Sequence, residues 1–523
     1  NVTAIYPDGF LPFINTELRD FAGTVGLKGE IAGWNWDLSG QYGQNKFDFT
    51  ITNSLNRSFG AASQTRFDSG GLTYTQTLAN LDVNRDLGVG FAKSMTLAGG
   101  LEYRRETFDI RPGELNSFAN GPAGGAPGAQ VFPGFRPTIG GQRVDGKRAR
   151  RNISAYVELD TDFSDNLNVQ LAGRFEDYSD FGSDLNGKAA IRFEPVEGIA
   201  LRGAVATGFR APSLQQQFYA ASATNNVNGV LLETVTLPVS NPVAIALGAT
   251  PLDAETSISF SGGLVLNPFP RFNLTVDFYQ VEIDDRIVVT ENLQASRDAA
   301  GNPSGSNPGR SIAQILNDAG FTNINAARFF VNGVDTRTRG IDAVATYRFD
   351  IGEEGRLNLT AGFNYNKTKV QRVLAASGPL GQVPGIVLFG RQETLRLAQG
   401  QPRTKINLSA DFEQDWFGVT ARANRYGKVL GAGSDPFLDV PLGAEWVADL
   451  ELHANLGRMV SLAVGANNLF DAYPDRVPFG RGTDPVTGAA RNYPATNQFI
   501  PYSNFSPFGF NGRFLYARAT VRF

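Results

Sequence analysis

The 523-residue sequence has no cysteine, one histidine and two methionines. A cysteine-free chain of this size suits an exported protein that avoids stray disulfides in an oxidising periplasm. With no thiolate and a single imidazole, a zinc site is not expected, and the Asp284-Asp285 pair, which could bind calcium with loop carbonyls, matches no EF-hand spacing. Ser/His/Asp catalysis would depend on His453 alone. No run of eighteen or more apolar residues occurs and mean hydropathy is −0.19, so no transmembrane helix is expected. The formal charge of −4 and pI near 5.4 give no support for nucleic-acid binding. The opening residues, Asn1 to Tyr6, lack the basic start and apolar core of a signal peptide. The expectation is a sequence that begins after processing, or partway along a longer protein.

What the chain does contain is glycine (59), phenylalanine (39) and alternation. In the last stretch, Leu515, Ala517, Ala519, Val521 and Phe523 alternate with Tyr516, Arg518, Thr520 and Arg522. Strand side chains point to opposite faces in turn, so one face here suits hydrocarbon and the other water. The same period recurs in Ile153–Leu159, Phe272–Phe278, Ile341–Phe349, Ile406–Phe412 and Trp446–Leu452. Alternation over about eight to ten residues, repeated along a chain, is the signature of a membrane barrel, in which only the outward half of each strand need be apolar.

Connections sort by length. Short turns are expected at Ala32-Gly33, Ser164–Asn166, Val196–Gly198, Asn267–Pro270, Gly352–Gly355, Gln414-Asp415 and Gly457-Arg458, with a slightly longer one around Asp86–Lys93. Between them lie long Gly/Pro/Asn-rich stretches, among them Pro112–Arg148, Ala211–Asp253, Thr290–Asp335 and Ala472–Asn511. Outer-membrane barrels have short periplasmic turns and long extracellular loops. The count is about 17 strands, the first running down from Leu18 to Ile31 and the last running down to Phe523. Single-chain bacterial barrels have an even count with both ends periplasmic, so an odd set implies a missing upward strand before Asn1.

The aromatic ending resembles bacterial outer-membrane barrel proteins. Further segments resemble the barrel of TonB-dependent outer-membrane receptors: YPDGFLPFIN (Tyr6–Asn15), TGFRAPS (Thr207–Ser213), YQVEIDDRI (Tyr279–Ile287), TRGID (Thr338–Asp342), NNLFDAYP (Asn467–Pro474) and SPFGFNGRFLYARATVRF (Ser506–Phe523). They span nearly the whole chain in the family's order. The resemblance implies an all-β transmembrane antiparallel barrel of about 22 strands with an N-terminal plug in its lumen. Residues 1–523 would then be the barrel domain from about strand 6 to strand 22, with the plug, the first strands and the TonB-binding segment lying outside this sequence. In TGFRAPS the Gly, Pro and Ser suit a strand ending in a turn, and TRGID and NNLF likewise read as strand boundaries, so all three are barrel architecture and not ligand sites.

The implied function is active uptake of a scarce nutrient (siderophore-iron, cobalamin, an oligosaccharide or similar) across the bacterial outer membrane, powered through the TonB complex. No enzyme activity and no cofactor are expected. A passive porin-like channel is the alternative in the same compartment, and a secreted β-rich carbohydrate-active enzyme the alternative of another class. Ligand-facing candidates lie in the loops: Tyr473, Arg481, Tyr493, Phe499, Tyr502 and Phe505, with Gln216 and Tyr219 after TGFRAPS. Aromatic rings beside amides and guanidinium groups suit stacking on sugars or catechol-like chelators, though aromatics also fill a loop's own interior. Arg143, Lys147, Arg148, Arg150 and Arg151 form a basic run that suits lipopolysaccharide phosphates. Ser311–Ala319 has the apolar spacing of a short loop helix. His453 is expected on the inner face near a periplasmic turn.

Overall fold

The computed structural model describes residues 2–123, 131, 133–227, 230–297, 302–304, 309–457, 459–478, 481–483, 485–488, 490–492 and 501–522. Among these, seventeen strands follow one another in a continuous antiparallel meander. They are β1 Phe13–Ile31, β2 Trp34–Thr52, β3 Phe67–Asp86, β4 Ser94–Pro112, β5 Gly146–Ser164 and β6 Leu167–Tyr178. Next come β7 Gly182–Val196, β8 Ile199–Arg210, β9 Glu255–Leu266, β10 Phe272–Val289, β11 Ala326–Ile351 and β12 Gly355–Val373. The last are β13 Thr404–Gln414, β14 Phe417–Tyr426, β15 Glu445–Leu456, β16 Val460–Asn467 and β17 Phe514–Val521. Three shorter strands at the long-loop end bring the sheet to twenty. β1 begins at Phe13, ahead of the expected Leu18, because the last residues of YPDGFLPFIN already pair with β2.

Every expected short turn joins two consecutive strands, though Arg458 lies outside the described residues. Ala32 and Gly33 both have positive φ (53° and 77°), the backbone of a two-residue type I′ hairpin whose twist matches that of the strands. One connection at the opposite end departs from the length rule. Ser179–Phe181 is a three-residue turn between β6 and β7, where Tyr178 and Phe181 pack at 4.5 Å and both rings meet Phe209.

The two faces differ as the alternation requires. Leu101, Ile153, Val157, Leu171, Phe260, Phe278, Leu408, Leu452 and Leu515 project outward and are exposed. The inner face carries hydrogen-bonded polar groups. Arg202 is paired with Asp277 across two strands; Arg174 bonds Glu176 at 2.7 Å and Ser154 at 2.7 Å. On β17, Tyr516 donates to Glu451 at 2.7 Å and Arg518 donates to the same carboxylate at 3.0 Å. His453 is on this face, 3.1 Å from Glu413 near the β13–β14 turn, as expected. Inner tyrosines lie across facing glycines. A Cβ at Gly100, Gly340 or Gly465 would come within 2.5 Å of Tyr156, Tyr279 or Tyr516. The glycine of TRGID is therefore required for close approach of a ring.

β1 pairs only with β2, and β17 only with β16, so both lateral edges of the sheet lack a partner among the described residues. No described helix is long and apolar enough to cross a membrane.

Candidate functional site at the long-loop end

Above the wall the loops fold into a cap with a core of its own. Phe135, Leu237, Val243, Ala244, Leu247, Ala313, Leu316 and Ala327 are fully buried, and Phe108, Ile110, Leu214, Leu293 and Phe329 nearly so. Local sequence shapes this cap. Ser213 and Ser311 each accept from the backbone N–H three residues on, and Gln216 and Gln314 accept the serine N–H in return. These capping boxes start the helices Leu214–Phe218 and Ile312–Asp318, the second of which was expected from its apolar spacing. The hairpin Ala221–Val227/Val230–Leu237 lies parallel to the start of β11, from Thr234 opposite Ala326 to Leu237 opposite Phe329.

The sequence-derived site residues fall in different surroundings. The side-chain amide of Gln216 is held in its capping box, and Tyr219 packs edge-on against Phe135 within the cap core. Both serve the cap in this structure. Tyr473 stacks on Tyr502 at 5.7 Å, and Tyr502 on Phe510 at 5.7 Å. Phe505 packs against Val429, Val440, Leu442 and Val477, with Arg396 5.2 Å above its ring. Arg481 belongs to the short strand Arg481–Thr483, paired with Ala490–Asn492. Tyr493 and Phe499 lie outside the described residues.

The basic run is corrected by the structure. Arg150 points inward and is buried, donating to Glu106 and to the Pro212 carbonyl at 2.6 Å each. Its cross-strand parity puts it on the inner face, where a guanidinium must be paired to be buried. Arg143 bonds Asp145 at 2.6 Å and Arg148 lies over the Phe218 ring. These residues do not form one outward cluster.

A polar cavity of about 440 Å³, which composition did not reveal, opens on the inner face beneath the helix Arg391–Gln399. Asn364, Asn366 and Thr368 line it from alternate positions of β12, joined by Gln401, Lys405 and Tyr426. Asn366 donates to Asn364 at 3.1 Å, Asn364 donates to Asp342 at 2.5 Å, and the Lys405 ammonium lies 5.3 Å from the Tyr426 ring centre. Tyr426 in turn stacks on Phe508 at 5.7 Å. Arg391 anchors the overlying helix by two bonds to Asp439 (2.8 and 2.6 Å) and one to the Gly433 carbonyl (2.8 Å), and holds the Asp439 carboxyl below its usual range. Amides, a hydroxyl, an ammonium and a ring edge can orient a polar or anionic small molecule. The Asn-x-Asn-x-Thr spacing was the available signal. It marks only an inner strand face until β13, β14 and the helix close around it. A larger cavity of about 590 Å³, lined by Tyr347, Leu359, Leu408, Leu450 and small alanines, is on the apolar outer wall and belongs to that face. Among the described residues no group of three His, Cys, Asp or Glu side chains could hold a metal ion.

Residues 4–469 match the family model described as TonB dependent receptor-like, beta-barrel. Among solved structures the chain is similar to a mutant of the ferric enterobactin receptor PfeA from Pseudomonas aeruginosa, at 16% identity and a TM-score of 0.63, covering 97% of this chain and 62% of that one. It is also similar to the siderophore receptor PirA from Acinetobacter baumannii, at 16% identity and a TM-score of 0.60, covering 97% and 63%. The chain thus spans less than two thirds of the length of these structures. A comparison with curated proteins finds no match.

Proposed function

The chain belongs to the TonB-dependent receptor family, whose β-barrel model it matches over most of its length, and from that premise we propose that it is the barrel portion of an active outer-membrane transporter for a scarce nutrient. The long-loop end is then extracellular and the short turns periplasmic. The observation that carries this reading is the polar cavity on the inner face at the mouth, lined by Asn366, Thr368 and Lys405 beneath the helix Arg391–Gln399. An inner-face site at the extracellular mouth suits capture before passage, whereas an open diffusion pore has no need of one.

An upstream segment supplies about five further strands, which close the sheet between β1 and β17, and the plug that fills the lumen. The unpaired edges support this, because each unsatisfied backbone group facing lipid costs several kcal/mol. Coupling to the TonB complex runs through that segment. A ferric siderophore is the first ligand to test, since the similar folds include siderophore receptors; cobalamin and oligosaccharides follow.

The test is uptake of radiolabelled ferric siderophores, cobalamin and oligosaccharides by iron-starved cells with and without the gene, in the presence and absence of a proton uncoupler. Gene-dependent uptake of one ligand that stops on uncoupling is expected. In cells making normal surface levels of the receptor, Asn366→Ala with Lys405→Ala should cut that uptake at least about tenfold, two lost polar contacts of about 1 kcal/mol each. Uptake that persists unchanged under uncoupling would replace the transporter reading with a passive channel.

A further inference from the structure

Two consecutive outward rows near the extracellular ends of β10, β11 and β12 carry positive charge where the wall below is apolar. In the lower row Gln280 faces Arg339, which faces Lys367; in the upper, Glu282 faces Arg337, which faces Lys369. The intervening residues Thr338 and Thr368 turn to the other face, where their hydroxyls meet at 2.8 Å. Directly below, Phe278, Ile341 and Tyr365 stand in register, and with Phe260 they line a groove of about 460 Å³ that Arg339 and Gln280 overhang.

Like charges directly opposite each other on adjacent strands are destabilising. This surface has two such pairs, Arg337 with Lys369 and Arg339 with Lys367. Compensation is partial. Arg337 bonds Glu282 at 2.7 Å, while Arg339 bonds only the neutral amide of Gln280, at 2.5 Å. Neither lysine has an ion-pair partner among the described residues. One row higher, Arg372 already holds Asp285 and Asp335, so the surplus is confined to the two rows over the groove.

We propose that this surface docks a phosphate-bearing glycolipid of the outer leaflet, its phosphates on Arg339, Lys367 and Lys369 and an acyl chain in the groove beneath. The inference rests on the outer-membrane reading, which places these rows at headgroup height, and it locates a lipid contact that the Arg143–Arg151 run does not supply. The chemistry fits one molecule: charge-assisted bonds to phosphate oxygens above and apolar contact with Phe278 and Ile341 below. A soluble anion would use the first and leave the second.

The experiment uses the full-length receptor, with its upstream segment, purified in detergent. Binding of bisphosphorylated lipid A, of the same lipid without phosphates, and of inorganic pyrophosphate is followed by native mass spectrometry. The bisphosphorylated lipid should bind, and each positive charge removed should weaken it about fivefold, in Lys367→Gln, in Lys367→Gln/Lys369→Gln and in the triple variant that adds Arg339→Gln. Lys367→Arg/Lys369→Arg should keep the affinity. Folding is checked by heat-modifiable migration, and the lysine-only variant, which breaks no ion pair, serves if the triple variant fails to assemble. Unchanged affinity in the lysine variant, equal binding of the phosphate-free lipid, or pyrophosphate binding as tightly as the lipid would each overturn the proposal. Nutrient uptake by the lysine variant should stay normal, so failure here and failure of the transport reading are separately visible.

Discussion

One strand, β11, passes through two environments that invert each other. Its upper part, from Ala326 to Val334, lies in the cap, where Phe329 is 1% exposed and Val334 is 1% exposed. Its lower part crosses the wall, where Ile341, Ala343, Ala345 and Tyr347 face outward in register with Phe278, Val276, Leu274 and Phe272. Side chains of the same kind are buried in one half by folding and in the other by the surrounding membrane. In the cap the hydrophobic effect acts within the protein and close packing determines stability. In the wall, hydrocarbon fills any gap, and what matters is that backbone groups pair and charges stay off the outer face.

The comparison breaks if truncating a large side chain costs the same in both halves. Phe329→Ala should destabilise the cap by about 3–5 kcal/mol, the cost of a cavity in a packed core. Hydrogen exchange should accelerate in the helix Ile312–Asp318 and the strand Val230–Leu237, while the barrel keeps its heat-modifiable migration. Phe363→Ala, on the outer face of β12, should leave both unchanged. Comparable exchange in the two variants would mean that the cap is not an independent core.

A charge tests the wall in the opposite sense. Leu450→Arg should impair assembly by about 2–4 kcal/mol near the bilayer midplane, read as loss of the heat-modifiable folded band. Asp449→Asn, one residue away on the inner face, should be tolerated, because its side-chain oxygen still accepts the Asn468 N–H now bonded at 2.8 Å. Equal outcomes at the two positions would refute the assignment of faces.

The smallest expected effect sharpens the description of the cap. Ser213→Ala removes the oxygen that caps Leu214–Phe218 and should cost about 1 kcal/mol. Exchange should rise in that helix and hardly at all in Ile312–Asp318. A uniform rise across both helices would show a cap that opens as one unit.

The wall was legible because its rule is local. Alternation and turn length act within about ten residues, so Leu450, Asp449 and the seventeen-strand meander followed from reading along the chain. Ser179–Phe181 escaped the length rule because an aromatic contact between Tyr178, Phe181 and Phe209 substitutes for a long loop. Loop chemistry was less legible. Gln216 and Tyr219 have the composition of ligand-facing residues, yet a capping box and a ring contact with Phe135 occupy them. Arg150 stands in a basic run along the sequence, yet its parity sends it to Glu106 on the inner face.

Sequence by itself determined the all-β architecture, the two faces of the wall and the family, since strand periodicity and turn chemistry are properties of short segments. Tertiary structure alone decided where side chains from distant segments meet. The cavity under Arg391–Gln399 joins β12, β13 and β14 with the helix itself. The cation pairs on β11 and β12 exist only because the register sets Arg339 opposite Lys367. Charge and polarity act through space over a few ångströms, and a one-residue shift of register would turn either site to the other face.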